Sequence, residues 1–239
     1  MAEYRDRYQR DELLAVLRSS RVLEDDTVGH IDLRELDLSG LSVNRSECRN
    51  TSFTQTKLDA ARLISSTFLG AEFRSSGLEG SLVENCRFDQ ARLMEANFEE
   101  GTWSRVHLER CYLSRARFLR ARLVHCHFQD SELTSVDFSE AHLAHCRFAA
   151  APQLGGSNLS RAKLKGAVVI DCDFKEINLR EADLSGAFFL SCDLRGANFR
   201  EAKLAGASFL ACNAEGADLV GADLSGMSHA GTRFYHSKR

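Results

Sequence analysis

The sequence predicts an all-β fold, a solenoid in which the chain turns a corner every five residues and closes a square coil every twenty. Two observations carry this prediction: a large apolar residue recurs at every fifth position over most of the 239 residues, and a small residue usually stands two positions before it. A period of five fits neither an α-helix, whose period is about 3.6, nor a simple strand, whose period is about 2.

The five-residue period holds in two long runs. Every fifth residue from Leu33 to Phe148 is apolar, at 24 positions in succession. A second run extends from Leu159 to Phe234 over 16 positions, with one small and one polar exception. The large and the small residue of each repeat should both point into the coil. Coils stacked about 4.8 Å apart then pair their backbone N–H and C=O groups with each other.

The five-residue unit resembles a known repeat. The stretch Ala182–Gly186, which reads Ala-Asp-Leu-Ser-Gly, matches the pattern Ala-(Asp/Asn)-Leu-X-X of the pentapeptide-repeat family. The resemblance covers about residues 31–236. It implies a right-handed quadrilateral β-helix of about ten coils.

The four faces of such a coil each recur after twenty residues. We name them by their first central residues in the run: face A contains Leu33, face B Leu38, face C Val43 and face D Cys48.

The register shifts between Phe148 and Leu159, which are eleven residues apart rather than ten. Two interpretations are open at this point. Either one additional residue precedes a weak repeat centred on Leu154, or the chain makes a six-residue excursion over residues 149–154 and then resumes with a normal step. The excursion would also account for Pro152, the only proline, because a corner loop tolerates proline.

The cysteines favour the excursion. In each of two sets the spacing is a multiple of twenty residues, and all members occupy the small inward slot: Cys86, Cys126, Cys146 and Cys172, Cys192, Cys212. Only the excursion places both sets in one column. We therefore expect a continuous solenoid of two blocks, residues 29–148 and 155–239, joined by the loop. Cysteine is a small, soft side chain that suits this slot, so we expect structural thiols, reduced in a cytoplasmic protein.

The two ends of the solenoid differ. We expect residues 1–28 to form an N-terminal capping helix and a linker, with the helix over residues 4–23. Its apolar side would be lined by Tyr4, Tyr8, Leu13, Leu14, Leu17 and Leu23. A solenoid needs such a cover over its terminal coil. No comparable segment follows Phe234, so the C-terminal coil should be covered by its own aromatics, a second copy of the chain or a partner.

Composition and motifs argue against several function classes. The formal charge of −3 is spread evenly along the chain, which argues against a nucleic-acid tail. We find no nucleophile elbow, phosphate loop or His-Glu-X-X-His motif, and a solenoid offers no water-excluding cleft. We therefore expect no enzyme and no cofactor. Neither a signal peptide nor a membrane span is apparent, so we expect a cytoplasmic protein without a membrane partner.

A strip of outward apolar residues is the main candidate binding site. With the excursion at the break, the residues beside the central positions of face C would form it: Val124, Val168, Ile170, Phe188, Leu190 and Leu210. Contiguous exposed apolar residues usually mark an interface. The alternatives are that a loop or tail covers the strip, or that the residues reflect β-propensity alone.

Two groups of polar residues are secondary candidates. Arginines mark four successive corners of one coil, with two more nearby, and would meet an acidic partner or form a solvated charge ring: Arg105, Arg110, Arg115, Arg117, Arg120 and Arg122. Three histidines, His125, His127 and His145, should lie close enough to be candidate metal ligands. Stacked surface side chains are the simpler interpretation, so we expect no metal.

These features predict a protein-binding scaffold or adaptor, which docks through face C and through its uncapped C-terminal coil. The resemblance extends this to assembly of a bacterial secretion machine. The alternative that the resemblance implies is a DNA mimic that binds DNA gyrase or topoisomerase and gives protection from quinolones or toxins. Such mimics use an acidic surface and a C-terminally joined homodimer, whereas this chain is nearly neutral. A metal-binding module at the histidines ranks last. In each case the expected partner is a protein, without direct nucleic-acid contact.

Overall fold

The structure is a computed structural model that describes residues 9–150 and 153–235. It is an all-β parallel solenoid with square coils and one short helix, which confirms the predicted fold. In each repeat the small residue and the large residue two positions later point inward. Ala182 and Leu184, for example, are both fully buried.

Face C contains a parallel sheet of six strands. Its strands, in the order in which they stack, are β1 Val22–Glu24, β3 Ser42–Asn44, β5 Arg62–Ile64, β7 Leu82–Glu84, β9 Thr102–Ser104 and β11 Arg122–Val124. After β11 this face continues through isolated bridges, such as Arg122 with His142 and His142 with Lys163.

Face D contains a parallel sheet of ten strands. They are β2 Thr27–Gly29, β4 Glu47–Arg49, β6 Thr67–Leu69, β8 Arg87–Asp89, β10 His107–Glu109, β12 His127–Gln129, β13 Arg147–Ala149, β14 Val168–Ile170, β15 Phe188–Leu190 and β16 Ser208–Leu210. The chain makes about nine turns between the first and the last of these strands, which differs slightly from the predicted ten coils. Faces A and B are held by isolated bridges, such as Asp32 with Ser52.

The corners are tight. The second residue after a central position takes a left-handed backbone conformation, and most of these residues are not glycine; Arg105 has φ 53°. This conformation costs an L-residue about 1–2 kcal/mol. The cost is offset because the corner N–H is paired: that of Arg105 donates to the carbonyl of Val124 in the next coil, at 3.0 Å.

Aromatic central residues stack along the interior. The ring centroids of Phe53 and Phe73 lie 4.8 Å apart, and those of Phe128 and Phe148 lie 4.9 Å apart. These distances match the spacing of stacked coils, about 4.8 Å. Each such pair adds about 0.5–1.5 kcal/mol beyond the burial of its area, so the stacks fix one coil on the next.

The solenoid begins earlier than predicted. Leu23 and Val28, which we expected in the helix and the linker, are fully buried central residues of β1 and β2. The expected boundary at residue 28 is therefore wrong. The reason is visible in the sequence, because both residues continue the five-residue series backwards from Leu33.

The predicted six-residue excursion is also wrong. Leu154 is fully buried as the central residue of a repeat on face A; its N–H donates to the carbonyl of Asp173 at 3.0 Å. One additional residue therefore lies between Ala150 and Leu154, and the coil is otherwise complete. Pro152 lies outside the described residues.

The cysteine argument failed because cysteine fits any corner slot. Cys146 occupies the slot before face D, and Ala167 continues that column in the next coil, since Phe148 pairs with Val169. Cys172, Cys192 and Cys212 lie instead in the slot before face A. The cysteines of the two sets thus form two columns on neighbouring faces.

A helix covers the N-terminal end, as predicted. Helix α1 spans Arg10–Ser20 and buries Leu13, Leu14 and Leu17 against the first coil. Its bounds are narrower than the predicted residues 4–23. Of the other residues predicted for this helix, Leu23 belongs to β1, and Tyr4 and Tyr8 lie outside the described residues.

Candidate protein-binding surface

An apolar patch lies on face D. It consists of Val168, Ile170, Phe188, Leu190 and Leu210, the outward side chains of β14, β15 and β16 except for Ser208. Leu210 is 40% exposed and the other four are half-buried. They form two columns, because Val168 pairs with Phe188, and Ile170 pairs with Leu190 and then Leu210.

The same two columns carry charges in two strands of the N-terminal half of face D, β4 and β8, whereas β2 and β6 have neutral outward residues. Glu47 and Arg49 form an ion pair there at 2.7 Å. Arg87 pairs with Glu109 of the next coil at 2.5 Å. The outward positions therefore change from a mixture of ion pairs and neutral residues to mainly apolar side chains along one continuous sheet. The solenoid core does not require this change, because these side chains point away from it.

Val124 does not belong to the patch. It lies on face C in β11, where it pairs with Ser104. The predicted strip on face C therefore divides, and its other five residues lie on face D. The cause is the register at the break, where one additional residue, rather than six, precedes the next repeat. The patch itself remains contiguous, because its five residues all follow the break.

The apolar patch borders a basic column. His107, His127 and Arg147 occupy one of its two columns in the three preceding strands, and Arg147 pairs directly with Val168. The rings of His107 and His127 are in contact, with centroids 4.7 Å apart. Partial burial, with the neighbouring charges of His107, Arg147 and His125, lowers the pKa of His127.

The three candidate metal ligands do not converge. His125 and His145 stack at the corner between faces C and D, with ring centroids 5.5 Å apart. His127 lies on face D and contacts His107 instead. Within residues 9–150 and 153–235, no group of three or more His, Cys, Asp or Glu side chains is placed to hold a metal ion.

The arginines lie at four successive corners of one coil, as predicted: Arg105, Arg110, Arg115 and Arg120 all have positive φ. Most of the six are neutralised by acids of the preceding coil. The ion pairs are Arg105 with Glu84, Arg110 with Asp89, Arg117 with Glu99 and Arg120 with Glu100. Arg115 and Arg122 make no ion pair with the residues that the structure describes. A role for these arginines with an acidic partner remains a prediction.

The thiols lie in the interior. All eight cysteines are free and buried. Burial raises the pKa of Cys48 to about 12 and that of Cys86 to about 11, which disfavours the reactive thiolate. In two cases a hydrogen bond from a neighbouring thiol lowers the pKa instead: Cys146 lowers that of Cys126, and Cys192 lowers that of Cys212 to about 7.

The last coil is only partly covered by the residues that the structure describes, and we call it the open C-terminal coil. The N–H of Leu204 donates to the carbonyl of Asp223 at 2.8 Å, but the equivalent N–H of Leu224, one coil later, has no acceptor among the described residues. Leu224, Met227 and Phe234 are only partly buried against the core.

Sequence reasoning missed the junction of the basic column with the patch. The histidines, the arginine and the apolar residues could be seen at the outward positions of each repeat. That they share one column becomes apparent only with the right register at the break.

Among the residues described, the structure contains no helix that is long and apolar enough to cross a membrane.

Comparison with known proteins agrees with this architecture. The family model described as "Pentapeptide repeat region" matches residues 101–169 and 150–219. A search of curated proteins gave no match.

Solved structures of three pentapeptide-repeat or resistance proteins are similar to the chain. HetL, a pentapeptide repeat protein involved in heterocyst differentiation regulation from Nostoc sp. strain PCC 7120, is 22% identical over 93% of this chain and 95% of its own, with a TM-score of 0.45. QnrB1, a plasmid-mediated fluoroquinolone resistance protein, is 21% identical over 84% and 90%, with a TM-score of 0.42. Rfr23, a pentapeptide repeat protein from Cyanothece 51142, is 14% identical over 95% and 99%, with a TM-score of 0.25.

At these identities and TM-scores the likeness to the solved structures carries no argument of its own. The five-residue period, the four-sided coil and the matching family model together identify the repeat. The chain belongs to the pentapeptide-repeat family.

Proposed function

We propose that this protein is a non-enzymatic scaffold or adaptor that binds a protein partner through the apolar patch on face D. The observation that carries the proposal is the contiguity of Val168, Ile170, Phe188, Leu190 and Leu210 on three adjacent strands. Contiguous apolar surface of this kind usually marks an interaction site.

The patch alone is too small for a stable complex. Its three strands span only about 10 Å along the solenoid, because neighbouring strands lie about 4.8 Å apart. A specific interface is much larger and buries about 800 Å² on each partner. The patch would therefore be the apolar centre of a larger contact, in which a few buried residues supply most of the binding energy. Neighbouring surfaces that could complete this contact are the basic column and the open C-terminal coil.

The finer roles rest on the family resemblance. Participation in the assembly of a bacterial secretion machine is one of them. Binding of DNA gyrase or topoisomerase as a DNA mimic is the alternative, and QnrB1 is a fluoroquinolone resistance protein. One observation removes an argument against this alternative: four of the six arginines in the middle of the solenoid are paired with acids and so form no strongly basic belt. A supercoiling assay with purified gyrase tests it, since absence of any effect at micromolar protein would contradict it.

The scaffold proposal is tested by a double substitution within the patch, Ile170→Asp with Leu190→Asp. The fold should tolerate both, because Asp89 and Glu109 already occupy the same outward column in β8 and β10. Partner capture from the native host should be lost, and the melting temperature should change little.

The matched control is Ile64→Asp with Val124→Asp. These two half-buried residues hold the corresponding outward position on face C. The control should capture the same proteins as the wild type, identified by mass spectrometry. Unchanged capture by the Ile170→Asp, Leu190→Asp protein would contradict the proposal.

A further inference from the structure

Some of the cations that make no ion pair with the described residues lie near the apolar patch. Arg147, which adjoins Val168 on face D, makes no ion pair with the described residues. Around the corner on face C, the same holds for Arg122 and Lys163, which flank His142 in one column. In the N-terminal half of face D, by contrast, the arginines of β4 and β8 pair with acids. The basic column thus places one arginine without an ion pair, and two histidines, in line with the patch of a protein whose net charge is −3.

We propose that the partner segment is bipartite, with an acidic part that lies on His107, His127 and Arg147 and an adjoining apolar part that lies on the patch. This inference rests on the proposed function and names the chemistry of the partner. The geometry supports it because the basic column and the first column of the patch are one continuous line of residues in successive strands.

The dimensions fit one linear segment. Five steps of about 4.8 Å separate the strand of His107 from that of Leu210, which gives a site about 24 Å long. An extended chain of about seven residues at about 3.3 Å per residue covers this length, as does a helix of about sixteen residues at about 1.5 Å per residue. Each half of the site is about 10 Å long and so holds half of such a segment.

The histidines make this contact depend on pH. His127 faces His107 on β10, Arg147 on β13 and His125 at the corner, and the nearby acids are Glu109 on β10 and Asp130 after β12. Burial and the positive neighbours hold the pKa of His127 below its usual value in the free protein. Burial, Lys163 and Arg122 do the same for His142.

The sign of the pH dependence follows from linkage. Carboxylates of a bound acidic segment offset the positive neighbours of His127 and raise its pKa. The complex therefore takes up a proton, and its affinity increases as pH falls through the pKa that His127 has in the complex. The change ends below the lowered pKa of His127 in the free protein, where both states are protonated.

The experiment uses the full-length protein and fluorescein-labelled synthetic peptides. The acidic peptide carries a run of four glutamates next to a run of four leucines, and it is made in two versions, one for each order of the two runs. A second peptide replaces the glutamates by serines. Fluorescence anisotropy at pH 6.0 and 8.0 gives the dissociation constants. We expect the acidic peptide to bind about tenfold more tightly than the serine peptide at pH 6.0, because each of about three exposed charge pairs contributes a factor of about two to three.

Two variants separate this inference from the proposed function. His127→Gln with Arg147→Gln should remove the advantage of the acidic peptide and leave the serine peptide unaffected. Ile170→Asp with Leu190→Asp should weaken both peptides. Equal binding of the two peptides to the wild type would overturn the bipartite site and leave the apolar patch in place. Normal binding of both by the Ile170→Asp, Leu190→Asp protein, or no binding of any peptide to the wild type, would contradict both.

Discussion

Arg147 and Val168 are direct neighbours on face D, paired across β13 and β14, although they are 21 residues apart instead of twenty. The additional residue in this coil joins two stretches of different surface chemistry. Before it, face D carries histidines and charges; after it, the outward residues of three strands are mostly apolar. Arg147 therefore lies next to the apolar patch because of the register that the additional residue sets.

Leu154 tests the register at the break. Leu154→Ala should lower the free energy of unfolding by about 2–5 kcal/mol, because it leaves a cavity at a fully buried central position. The measurement is equilibrium unfolding in urea. Gln153→Ala, at the exposed neighbouring position, is the matched control and should change stability by less than about 0.5 kcal/mol. A nearly neutral Leu154→Ala would mean that this residue lies in a loop.

The N-terminal cap is tested on helix α1. Leu13→Asp should unfold the cap, because it places a charge against the first coil at a fully buried position. We expect a lower melting temperature and self-association on size-exclusion chromatography, since the first coil then exposes its apolar residues and backbone edge. Ala15→Asp, on the exposed side of the same helix, should remain monodisperse. If Leu13→Asp behaves as the control does, the helix does not cap the solenoid.

The two classes of thiol predict a graded reactivity. In the native protein at pH 7.5, an aromatic disulfide reagent should modify Cys212 first, because its pKa is about 7 and it lies near the open coil, whereas Cys48, with a pKa of about 12, should react only on unfolding. The reaction is monitored by the absorbance of the thiolate that the reagent releases. Cys212→Ser should remove the fast phase of this reaction. Cys48→Ser should leave it unchanged. A fast phase that survives Cys212→Ser would contradict the assignment.

Much of the fold could be predicted because a solenoid repeats one local rule. From Leu33 to Leu219 the residues of the apolar series are buried central residues, and the series also pointed back to Val28 and Leu23, which we assigned to the linker and the helix. The five-residue period also predicted that the arginines lie at corners of the coil. Their ion pairs did not, because they join residues of neighbouring coils, such as Arg120 and Glu100, whose contact depends on side-chain conformation.

The site was harder to predict than the fold. The spacing of eleven positions from Phe148 to Leu159 allows two registers, and each places the later outward residues on a different face. The cysteines could not decide, because a small side chain suits every corner slot. Leu154 was the better guide, since an apolar residue six positions after Phe148 continues the core with one residue added.

Site-specific photo-crosslinking tests the docking surface most directly. A photoreactive amino acid replaces Leu210, the most exposed residue of the apolar patch, or Val124 on face C as the control. The account predicts that the partner captured by the wild type crosslinks from position 210 and not from position 124. Crosslinking from position 124 alone, or from both positions equally, would contradict face D as the docking surface.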